Sequence, residues 1–390
     1  MSYLMQTYRR LPVTFVRGEG LRLYTADGRV YWDYLSGLGV NNLGHSHPII
    51  VEAIQQQATQ LIHVSNLYTI AEQERLAQEL AAVSGLDKVF FCNSGTEANE
   101  ALLKLARRYQ REIKGEDRYE VITALRSFHG RTLGALSATG QEKYHRSFQP
   151  LVPGFKYVPY NDLAAMEAAL SPQTALVLLE PVQGEGGVFP GDVAYLQGVQ
   201  ALCRQSGALF GLDEVQTGVG RTGSFYAYQH YGLQPDLVSS AKALAGGLPI
   251  GALLATAQVA EGFEPGSHAS TFGGNPLVCG VATKVVSLIR NPEFLARVEK
   301  TGAYLAEQLA AAAGSRITEV RRLGLMLGIQ LRPDLSAPEL NQRLFQEERV
   351  LANAIGTATI RLLPPLITTV ADCDRLVSAF CRQLIKIEGE

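Results

Sequence analysis

Seven short apolar segments recur between stretches with helical spacing, and no other feature constrains the fold as much. They span residues 88–94, 119–125, 155–160, 174–182, 208–215, 237–242 and 250–256. Most are continuous apolar runs without strict alternation, which is typical of strands covered on both faces. Between them, residues 96–112 and 193–205 place apolar side chains on one helical stripe. The sequence therefore predicts an α/β fold, in which helices cover a mostly parallel seven-stranded sheet.

The composition of the chain changes after Pro276, where alanine- and leucine-rich helices are predicted. These two helices, one or two following strands and a last helix lie near residues 277–290, 292–313, 324–331 and 372–385. This order of elements, with long helices before the short strands, indicates a second and smaller α+β domain.

The N-terminal part predicts a β-hairpin, in which residues 22–24 and 30–34 flank the turn Ala26-Asp27-Gly28. A single hairpin is too small to be stable alone, so we expect it to pack with the C-terminal part. The expected spans are an N-terminal segment, a large cofactor-binding domain and a small C-terminal domain, at residues 1–50, 51–275 and 276–390.

The charge balance excludes several classes of partner. Lys and Arg number 35 against 37 Asp and Glu, which gives a formal charge of −2 over 390 residues. A chain without positive surplus is a poor general binder of nucleic acid or anionic membranes. No apolar stretch approaches the ~20 residues that span a bilayer, so we expect neither nucleic-acid nor membrane partners.

The cysteines and histidines suggest neither disulfides nor metal. The five cysteines are scattered and never form a CxxC pair, so we interpret them as reduced core thiols. The N-terminus lacks the layout of a signal peptide, and we expect a cytoplasmic protein. In the sequence around His45 and His47, no cysteine or carboxylate cluster is present. A turn before a helix that begins at Pro48 is favoured over a metal site.

A candidate anion site lies in residues 93–99, at the end of one predicted strand and the start of a helix. Ser94 and Glu97 have capping-box spacing, and Gly95 allows close approach of a ligand. Free N–H groups and the helix dipole favour a phosphate there. An ordinary capped helix remains the alternative, and the absence of a P-loop lysine argues against a nucleoside triphosphate.

A carboxylate and a lysine end two further predicted strands. Asp213 ends the strand 208–215, and Lys242 ends the strand 237–242 and precedes a Gly-rich turn. Because ligands of open α/β sheets bind at the carboxyl ends of strands, both groups are expected at one pocket. Burial there would lower the pKa of the amine and make it nucleophilic. The alternative is a structural Asp–Lys ion pair.

A phosphate site, a carboxylate and a desolvated lysine on one sheet edge are what pyridoxal phosphate requires. The lysine binds the cofactor covalently, and the carboxylate keeps its pyridine nitrogen protonated. A dinucleotide site competes, because residues 218–223 fit the pattern GxGxxG. Since the segment after Gly223 is a poor helix start, we favour pyridoxal phosphate.

Seven stretches of the sequence occur in the order and spacing of one enzyme family. They are NSGTEANEALLKLAR, SFHGRTLGALSATG, EPVQGEGG, LDEVQTGVGRTG, the segment around Lys242, HASTFGGNPL and IRLLPPL. With them the chain resembles the class III, fold-type I pyridoxal-phosphate aminotransferases. Within that family it is most similar to the acetylornithine aminotransferases, followed by the ornithine aminotransferases. The resemblance extends from about Phe15 to Pro365.

The resemblance implies roles for the residues at the cofactor. Lys242 would hold the cofactor and move the proton, Asp213 would pair with the pyridinium, and Phe128 and Val215 would press on the two faces of the ring. The cofactor-binding residues implied in this way are Gly95, Thr96, Phe128, Asp213, Glu214, Val215, Gln216, Lys242 and, from the neighbouring subunit, Thr271. A shared site of this kind implies a homodimer.

The resemblance also implies how substrates bind. Arg131 would bind the carboxylate far from the reacting amine, with Ser270 beside it. Arg361 would bind the α-carboxylate of glutamate, because a guanidinium fork fits a carboxylate bidentately. Glu185 would pair with Arg361 when the other substrate, which presents no carboxylate there, occupies the site. Alternatively, Arg131 is a surface arginine without a binding role, and Glu185 and Arg361 form a purely structural salt bridge.

The activity implied is transfer of the terminal amino group of N-acetylornithine to 2-oxoglutarate, in arginine biosynthesis. Ornithine, 4-aminobutyrate, succinylornithine and acylated lysine remain alternative donors, since the acyl group is recognised by loop shape more than by motif. A regulatory protein that binds pyridoxal phosphate without turnover is the non-enzyme alternative. The sequence departs from the family at Arg322, where glycine is common, and in the variant segment 66–69 near the substrate mouth.

Overall fold

The computed structural model of the chain describes residues 3–389, with side chains through residue 388. Its strands are β1 (Phe15–Glu19), β2 (Arg22–Thr25), β3 (Val30–Asp33), β4 (Lys88–Cys92), β5 (Glu120–Ala124), β6 (Phe155–Val158), β7 (Thr174–Leu179), β8 (Val182–Gln183), β9 (Phe189–Pro190), β10 (Leu209–Asp213), β11 (Leu237–Ser240), β12 (Gly251–Ala255), β13 (Ile317–Leu323), β14 (Met326–Leu331), β15 (Val350–Leu351), β16 (Asn353–Ile355) and β17 (Thr359–Leu362). Its α-helices are α1 (Ser36–Gly39), α2 (Pro48–Ala58), α3 (Ala71–Ser84), α4 (Gly95–Arg108), α5 (Leu133–Ala138), α6 (Glu142–His145), α7 (Leu163–Ala169), α8 (Val193–Ser206), α9 (Ala257–Ala260), α10 (Pro276–Ile289), α11 (Pro292–Ala313), α12 (Ala337–Glu347) and α13 (Val370–Gly389). The ends of the predicted domain spans, residues 1–2 and 390, lie outside the described residues.

The seven predicted strands form one sheet, in the order β4-β12-β11-β10-β7-β5-β6. Strand β12 is antiparallel to both of its neighbours, and the other adjacent pairs are parallel. Because β12 is antiparallel to β11 and to β4, strand β4 runs in the same direction as the remaining strands. The predicted mostly parallel seven-stranded sheet is therefore confirmed, and all its strands except β12 end at the same edge.

Both faces of this sheet are buried, which explains why its strands are continuous apolar runs. In β7, Val177 and Leu179 pack in one hydrophobic cluster, whereas Leu176 and Leu178 pack in another on the opposite face. Helix α4 covers the second face with a stripe that includes Leu102, whose side chain is fully buried. Shortening such a leucine to alanine costs about 2–5 kcal/mol, because the cavity does not collapse completely.

The N-terminal and C-terminal parts of the chain meet in one smaller sheet, and a second smaller sheet is formed by C-terminal strands alone. Strands β2 and β3 form the predicted hairpin, and β15 pairs with β3 in parallel, with Val350 opposite Trp32. Strands β13, β14, β17 and β16 form an antiparallel sheet in that order. On β13, Arg322 donates from Nη1 to Glu299 Oε1 of α11 over 2.7 Å, which explains how the chain accommodates an arginine there. The division at residues 50 and 275 stays a prediction.

A buried arginine ties several segments of the chain together. Arg221 is fully buried and donates from Nη1 to the carbonyl oxygens of Leu325 at 2.9 Å and Pro364 at 2.5 Å. Its Nη2 contacts Asn42 Oδ1 at 2.5 Å. Burial lowers the pKa of Arg221 to about 9, and a carboxylate, Asp33, opposes that effect from a distance. These contacts fix the loop after β10 against the segment that follows β17.

The predicted helices are present, with shifts of a few residues at most. Helix α11 has the predicted bounds, whereas α4 ends at Arg108 and a π-helical turn, Tyr109–Ile113, follows it. Among residues 3–389, no helix combines the length and the hydrophobicity needed to cross a bilayer.

Candidate active site

A cavity of about 240 Å³ lies where five strands of the large sheet end. It is lined by the residues that follow β4, β5, β7, β10 and β11, namely Gly95, Thr96, Asn99, Phe128, His129, Gly130, Arg131, Glu180, Val182, Asp213, Val215, Gln216, Thr217 and Lys242. The carboxyl edge of an open parallel sheet is the usual position for a ligand. The fold thus brings together at one cavity the phosphate motif, Asp213 and Lys242, which are far apart in sequence.

Helix α4 begins at this cavity with the predicted cap. Ser94 Oγ accepts a hydrogen bond from the Glu97 N–H at 3.3 Å, while the Glu97 carboxylate accepts from the Asn93 N–H at 2.7 Å. Gly95 faces Val215 so closely that a Cβ at position 95 would lie 2.5 Å from Val215 Cγ1. The free N–H groups at this helix terminus can bind an anion, and only glycine leaves room for Val215 beside them.

Asn99 and His129, for which the sequence predicted no role, hold the Asp213 carboxylate in place. Its Oδ2 accepts from Asn99 Nδ2 and lies against His129 Nδ1, each at 2.8 Å, and its Oδ1 accepts from the Val215 N–H at 3.0 Å. His129 is buried and its Nε2 has no partner within the described part of the chain. Asn99 lies within the phosphate motif and His129 is next to Phe128, but the sequence alone does not place either beside Asp213.

Lys242 is the third residue after Ser239. Ser239 on β11 pairs with Asp213 on the parallel strand β10, so Lys242 follows the end of the strand beside Asp213. Its backbone φ of 47° is unusual for a non-glycine residue and turns the chain away from the strand at this point. Burial lowers the pKa of the Lys242 amine below its ordinary value, an effect that the nearby Glu185 carboxylate opposes. An amine with a lowered pKa is a better nucleophile at neutral pH.

A second buried carboxyl group, Glu180, follows β7 in the same cavity. The Phe128 N–H donates to Glu180 Oε2 at 3.2 Å, and this contact holds the aromatic residue at the cavity wall. Burial, reinforced by the Asp213 charge, raises the pKa of Glu180 well above its ordinary range. The direction of this shift favours the neutral form of Glu180, whose backbone-bonded carboxyl group therefore serves to position Phe128.

Arg361 and Glu185 form an ion pair at the side of the cavity. Arg361 Nη1 lies 2.5 Å from Glu185 Oε1 and 3.2 Å from Gln216 Oε1, which lines the cavity, and Nη2 donates to Asn353 Oδ1 at 2.9 Å. The Arg361 side chain is 1% exposed, and that of Glu185 is 27% exposed. Burial acts to raise the pKa of Glu185, but the charge and the hydrogen bond of Arg361, together with the Lys242 charge and a hydrogen bond from Gln216, outweigh it and the pKa is lowered.

The close approach of two segments produces this ion pair. A Cβ at Gly184 would lie 2.2 Å from Gln216 Oε1, and one at Gly328 of β14 would lie 2.6 Å from the Gly187 carbonyl oxygen. Gly328 pairs with Arg361 across the antiparallel strands β14 and β17. Glycines at these positions let the small sheet pack directly on the loop that carries Glu185.

Besides Arg361 and Glu185, three predicted site residues, Glu214, Ser270 and Thr271, do not line the cavity of their own chain. Both carboxylate oxygens of Glu214 accept hydrogen bonds from its own chain, from the hydroxyl of the cavity residue Thr217 at 2.5 Å and from the Tyr228 N–H at 2.8 Å. Ser270 Oγ accepts from Asn93 Nδ2 at 3.2 Å, and Thr271 is exposed on the same loop. Asn66, in the segment that departs from the family, donates to the Ser270 carbonyl at 3.0 Å and supports this loop.

Two sequence motifs that we did not assign to the cofactor site, the turn with His45 and His47 and the GxGxxG segment 218–223, form ordinary structural elements. His45 Nε2 lies 2.8 Å from Asp33 Oδ2, and His47 caps α2 by accepting from the Ile49 N–H at 3.3 Å. Within residues 3–389, no cluster of three or more His, Cys, Asp or Glu is placed to hold a metal ion. The loop 218–223 is followed by a short 3-10 helix, Ala227–Tyr231, rather than the α-helix of a dinucleotide site.

The cavity residues fit pyridoxal phosphate. The open side of the Asp213 carboxylate can face a protonated ring nitrogen, and Lys242 supplies an amine of lowered pKa for a covalent bond. Phe128 and Val215 are apolar groups of the lining that suit the faces of an aromatic ring, and Gly95 begins a helix with free N–H groups for a phosphate. Each part of the cofactor therefore has a chemically suitable partner.

Comparisons with known proteins agree with this geometry. The family model described as Aminotransferase class-III matches residues 3–384. A curated acetylornithine aminotransferase from Thermosynechococcus vestitus is 48% identical, with 98% of this chain and 95% of that protein covered. The structure is similar to that of ornithine aminotransferase from Toxoplasma gondii, with a TM-score of 0.94, 31% identity and 99% and 93% of the two chains covered. For acetylornithine aminotransferase from Elizabethkingia anophelis the TM-score is 0.87, at 34% identity and 98% and 96% coverage.

Proposed function

This chain belongs to the class-III aminotransferases, a family of pyridoxal-phosphate enzymes, and we propose that it acts on N-acetylornithine. In the proposed reaction the terminal amino group of N-acetylornithine is transferred to 2-oxoglutarate. The products are N-acetylglutamate semialdehyde and glutamate, as in arginine biosynthesis. Curated relatives named acetylornithine aminotransferase, at 44% to 48% identity over almost the whole chain, support this choice of donor.

The observation that carries the proposal is the ion pair between Arg361 and Glu185. One site must accept glutamate, which has an α-carboxylate beside its amine, and also a donor whose reacting amine is at the end of a methylene chain. A buried arginine binds the first substrate through its carboxylate. When the second substrate is bound, Glu185 can neutralise Arg361, as it does in this structure over 2.5 Å. The pair thus matches the requirement for two different substrates.

The residues of the cavity have separate roles in this proposal. Bound pyridoxal phosphate supplies a protonated pyridine ring that withdraws the electron pair left when the carbon beside the amine loses its proton. Asp213 holds the ring nitrogen in its protonated form, and Lys242 binds the cofactor and then moves the proton at the reacting carbon. Phe128 and Val215 hold the ring between them, while Gly95 and Thr96 bind the phosphate.

Two arginines fix the position of the substrate. We assign the distant carboxylate of the amine donor to Arg131, which lines the cavity, and the α-carboxylate of glutamate to Arg361. Each arginine presents a planar fork of N–H groups that matches a carboxylate. Gln216 lines the cavity and accepts a hydrogen bond from Arg361, and we assign to it the contact with the phenolic oxygen of the cofactor.

A homodimer is part of the proposal. Ser270 and Thr271 lie on a loop outside the cavity of their own chain, and the adjacent Phe272 is 61% exposed. Exposure of a large aromatic side chain beside two site residues supports burial of this loop against a second copy of the chain. There, Thr271 would contact the phosphate of the cofactor that is bound by the partner subunit. We also propose a cytoplasmic location, which the five free cysteines support.

The proposal is tested with purified protein loaded with pyridoxal phosphate. We expect a visible absorption band that disappears on addition of glutamate and returns on addition of 2-oxoglutarate. Amine donors are then compared under the same conditions. The donors compared are N-acetylornithine, ornithine, succinylornithine, 4-aminobutyrate and acylated lysine. A kcat/KM for N-acetylornithine at least tenfold above that for ornithine is expected.

Two results would contradict the proposal in different ways. Equal or better use of ornithine or 4-aminobutyrate would assign another donor to the same catalytic site. A bound cofactor whose absorption does not respond to any amine would favour the non-enzyme alternative.

A further inference from the structure

The Arg131 guanidinium contacts aromatic rings instead of hydrogen-bond acceptors. Its Cζ lies 4.0 Å from the ring centroid of Tyr144 and 5.5 Å from that of Phe128. Within the described part of the chain, no acceptor lies within hydrogen-bonding or ion-pairing distance of this guanidinium, although the backbone N–H of Arg131 approaches Thr96 Oγ1 at 3.3 Å. The N–H groups of the Arg131 side chain are therefore available to a ligand.

Tyr144 is itself held firmly in place. It lies on α6, between Gln141, whose side chain donates to the Ser127 carbonyl at 2.9 Å, and the buried His145. His145 Nε2 lies 2.6 Å from the Thr139 carbonyl oxygen. The Tyr144 ring also meets Phe128 edge to face, with ring centroids 6.1 Å apart and an interplanar angle of 80°. These contacts anchor the helix on both sides of the tyrosine, so its ring offers a fixed surface.

We propose that Tyr144 is a positioning residue, whose ring holds the Arg131 guanidinium above it and so prepares the guanidinium to bind the carboxylate of the amine donor. A cation over the face of an aromatic ring is attracted without using any of its N–H donors. A stacked guanidinium keeps its planar fork free for a carboxylate, and fewer side-chain rotations are lost on binding. Lys143 Nζ lies 4.8 Å from the same ring and adds positive charge that favours an anionic donor.

The inference rests on the proposed function, because Arg131 must bind a carboxylate of the donor. It adds a specificity determinant: Tyr144 affects only those substrates whose carboxylate is at Arg131. Glutamate has a second carboxylate far from its reacting amine, which would also lie at Arg131 when the α-carboxylate is at Arg361, so its half-reaction should respond in the same direction. The internal comparison is therefore a substrate without any carboxylate. An acylated diamine, N-acetyl-1,4-diaminobutane, keeps the reacting amine and the acyl group of the donor but lacks its carboxylate.

The experiment compares Tyr144→Leu and Tyr144→Phe with the wild type, each as the loaded enzyme. Tyr24→Leu is the matched control, because Arg17 Cζ lies 4.0 Å from the Tyr24 ring in the N-terminal hairpin, away from the cavity. The two half-reactions are followed separately by absorbance, for the N-acetylornithine, N-acetyl-1,4-diaminobutane and glutamate substrates. Cofactor affinity is measured in parallel by titration, since Phe128 contacts Tyr144.

For Tyr144→Leu we expect the apparent KM for N-acetylornithine to rise about fivefold, the upper end of the range for a cation–π contact of an exposed arginine. The limiting rate with N-acetylornithine, the kinetics with the diamine, and the cofactor affinity stay within about twofold, whereas the apparent KM for glutamate rises in the same direction as that for N-acetylornithine. Tyr144→Phe restores most of the lost affinity, because the ring rather than the hydroxyl contacts Arg131. Tyr24→Leu changes none of these values.

Equal losses for the diamine and for N-acetylornithine would mean that Tyr144 supports the site only structurally and would overturn the inference, as would an unchanged KM. Failure of the proposed function is recognised separately, in the donor profile of the wild type. If another donor with a carboxylate proves to be the best substrate, the inference is tested with that donor instead, by the ratio of the apparent KM of Tyr144→Leu to that of the wild type.

Discussion

Arg361 is almost completely buried, and the group that balances its charge, Glu185, is not. Nη1 of Arg361 lies 2.5 Å from Glu185 Oε1, and the side chains are 1% and 27% exposed. Glu185 lies on the loop between β8 and β9, whereas Arg361 lies on the central part of β17. The carboxylate is therefore the partner that can move, and the guanidinium stays in place to receive a substrate.

Replacing Glu185 by glutamine should separate the two half-reactions. Glutamate needs Arg361 free, so its half-reaction should stay within about twofold of the wild type. The donor half-reaction should slow about tenfold to a hundredfold, because a buried guanidinium without its carboxylate then faces a methylene chain. Single-turnover absorbance measurements with each substrate check this. Glu319→Gln, which removes the carboxylate partner of Arg321 on β13 of the same sheet, is the matched control. Equal losses in both half-reactions would refute the switch.

Replacing His129 by leucine should reduce kcat without changing KM. His129 Nδ1 lies 2.8 Å from Asp213 Oδ2, and a hydrogen bond to a charged group contributes about 1.5–3 kcal/mol. We therefore expect both half-reactions to slow about tenfold to a hundredfold, with KM values within twofold. His129→Asn, which keeps a donor near the position of Nδ1, should recover part of the rate. Steady-state kinetics with both substrates measure the effect, and a loss confined to KM would contradict it.

Glu214→Gln should remove a pH dependence of stability. Burial raises the pKa of Glu214 to about 7 from an ordinary value of 4.5. The fold thus favours the protonated carboxyl group. Its contribution to the free energy of unfolding is complete below pH 4.5 and is lost as the pH rises through about 7. The full loss is about 3 kcal/mol. Relative to wild type, the variant should gain unfolding free energy between pH 5 and 8, measured by urea denaturation. Exposed Glu167→Gln is the control, and parallel wild-type and variant curves would contradict the assignment.

Gly95→Ala should weaken cofactor binding without disrupting α4. Alanine favours the helix, but its Cβ would lie 2.5 Å from Val215 Cγ1. Displacement of Val215 toward the cavity, at an overpacking cost of about 1–3 kcal/mol, should raise the dissociation constant of pyridoxal phosphate at least tenfold. The double variant Gly95→Ala/Val215→Ala should recover part of this affinity. Absorbance titration measures both, and an unchanged affinity in the single variant would exclude the steric explanation.

Where the sequence predicted correctly, a local pattern reports its environment directly. Continuous apolar runs predicted all seven strands of the large sheet, because strands buried on both faces have no reason to alternate. The cap at Ser94 and the hairpin around Gly28 depend on residues a few positions apart, and both are present. The cofactor contact of Glu214 was inferred from a motif alone and stays a prediction, and both of its carboxylate oxygens accept hydrogen bonds from its own chain.

The sequence by itself determined the α/β sheet and the residues that could bind pyridoxal phosphate, because strand periodicity and motif spacing are properties of neighbouring residues. Only the tertiary structure decided which distant groups meet. His129 and Asn99 contact Asp213 from separate elements, Tyr144 stacks on Arg131, and Glu185 reaches Arg361 across 176 positions. Such contacts depend on how β-strand ends and loops pack in space, and this packing is set by the burial of the whole core rather than by any local sequence signal.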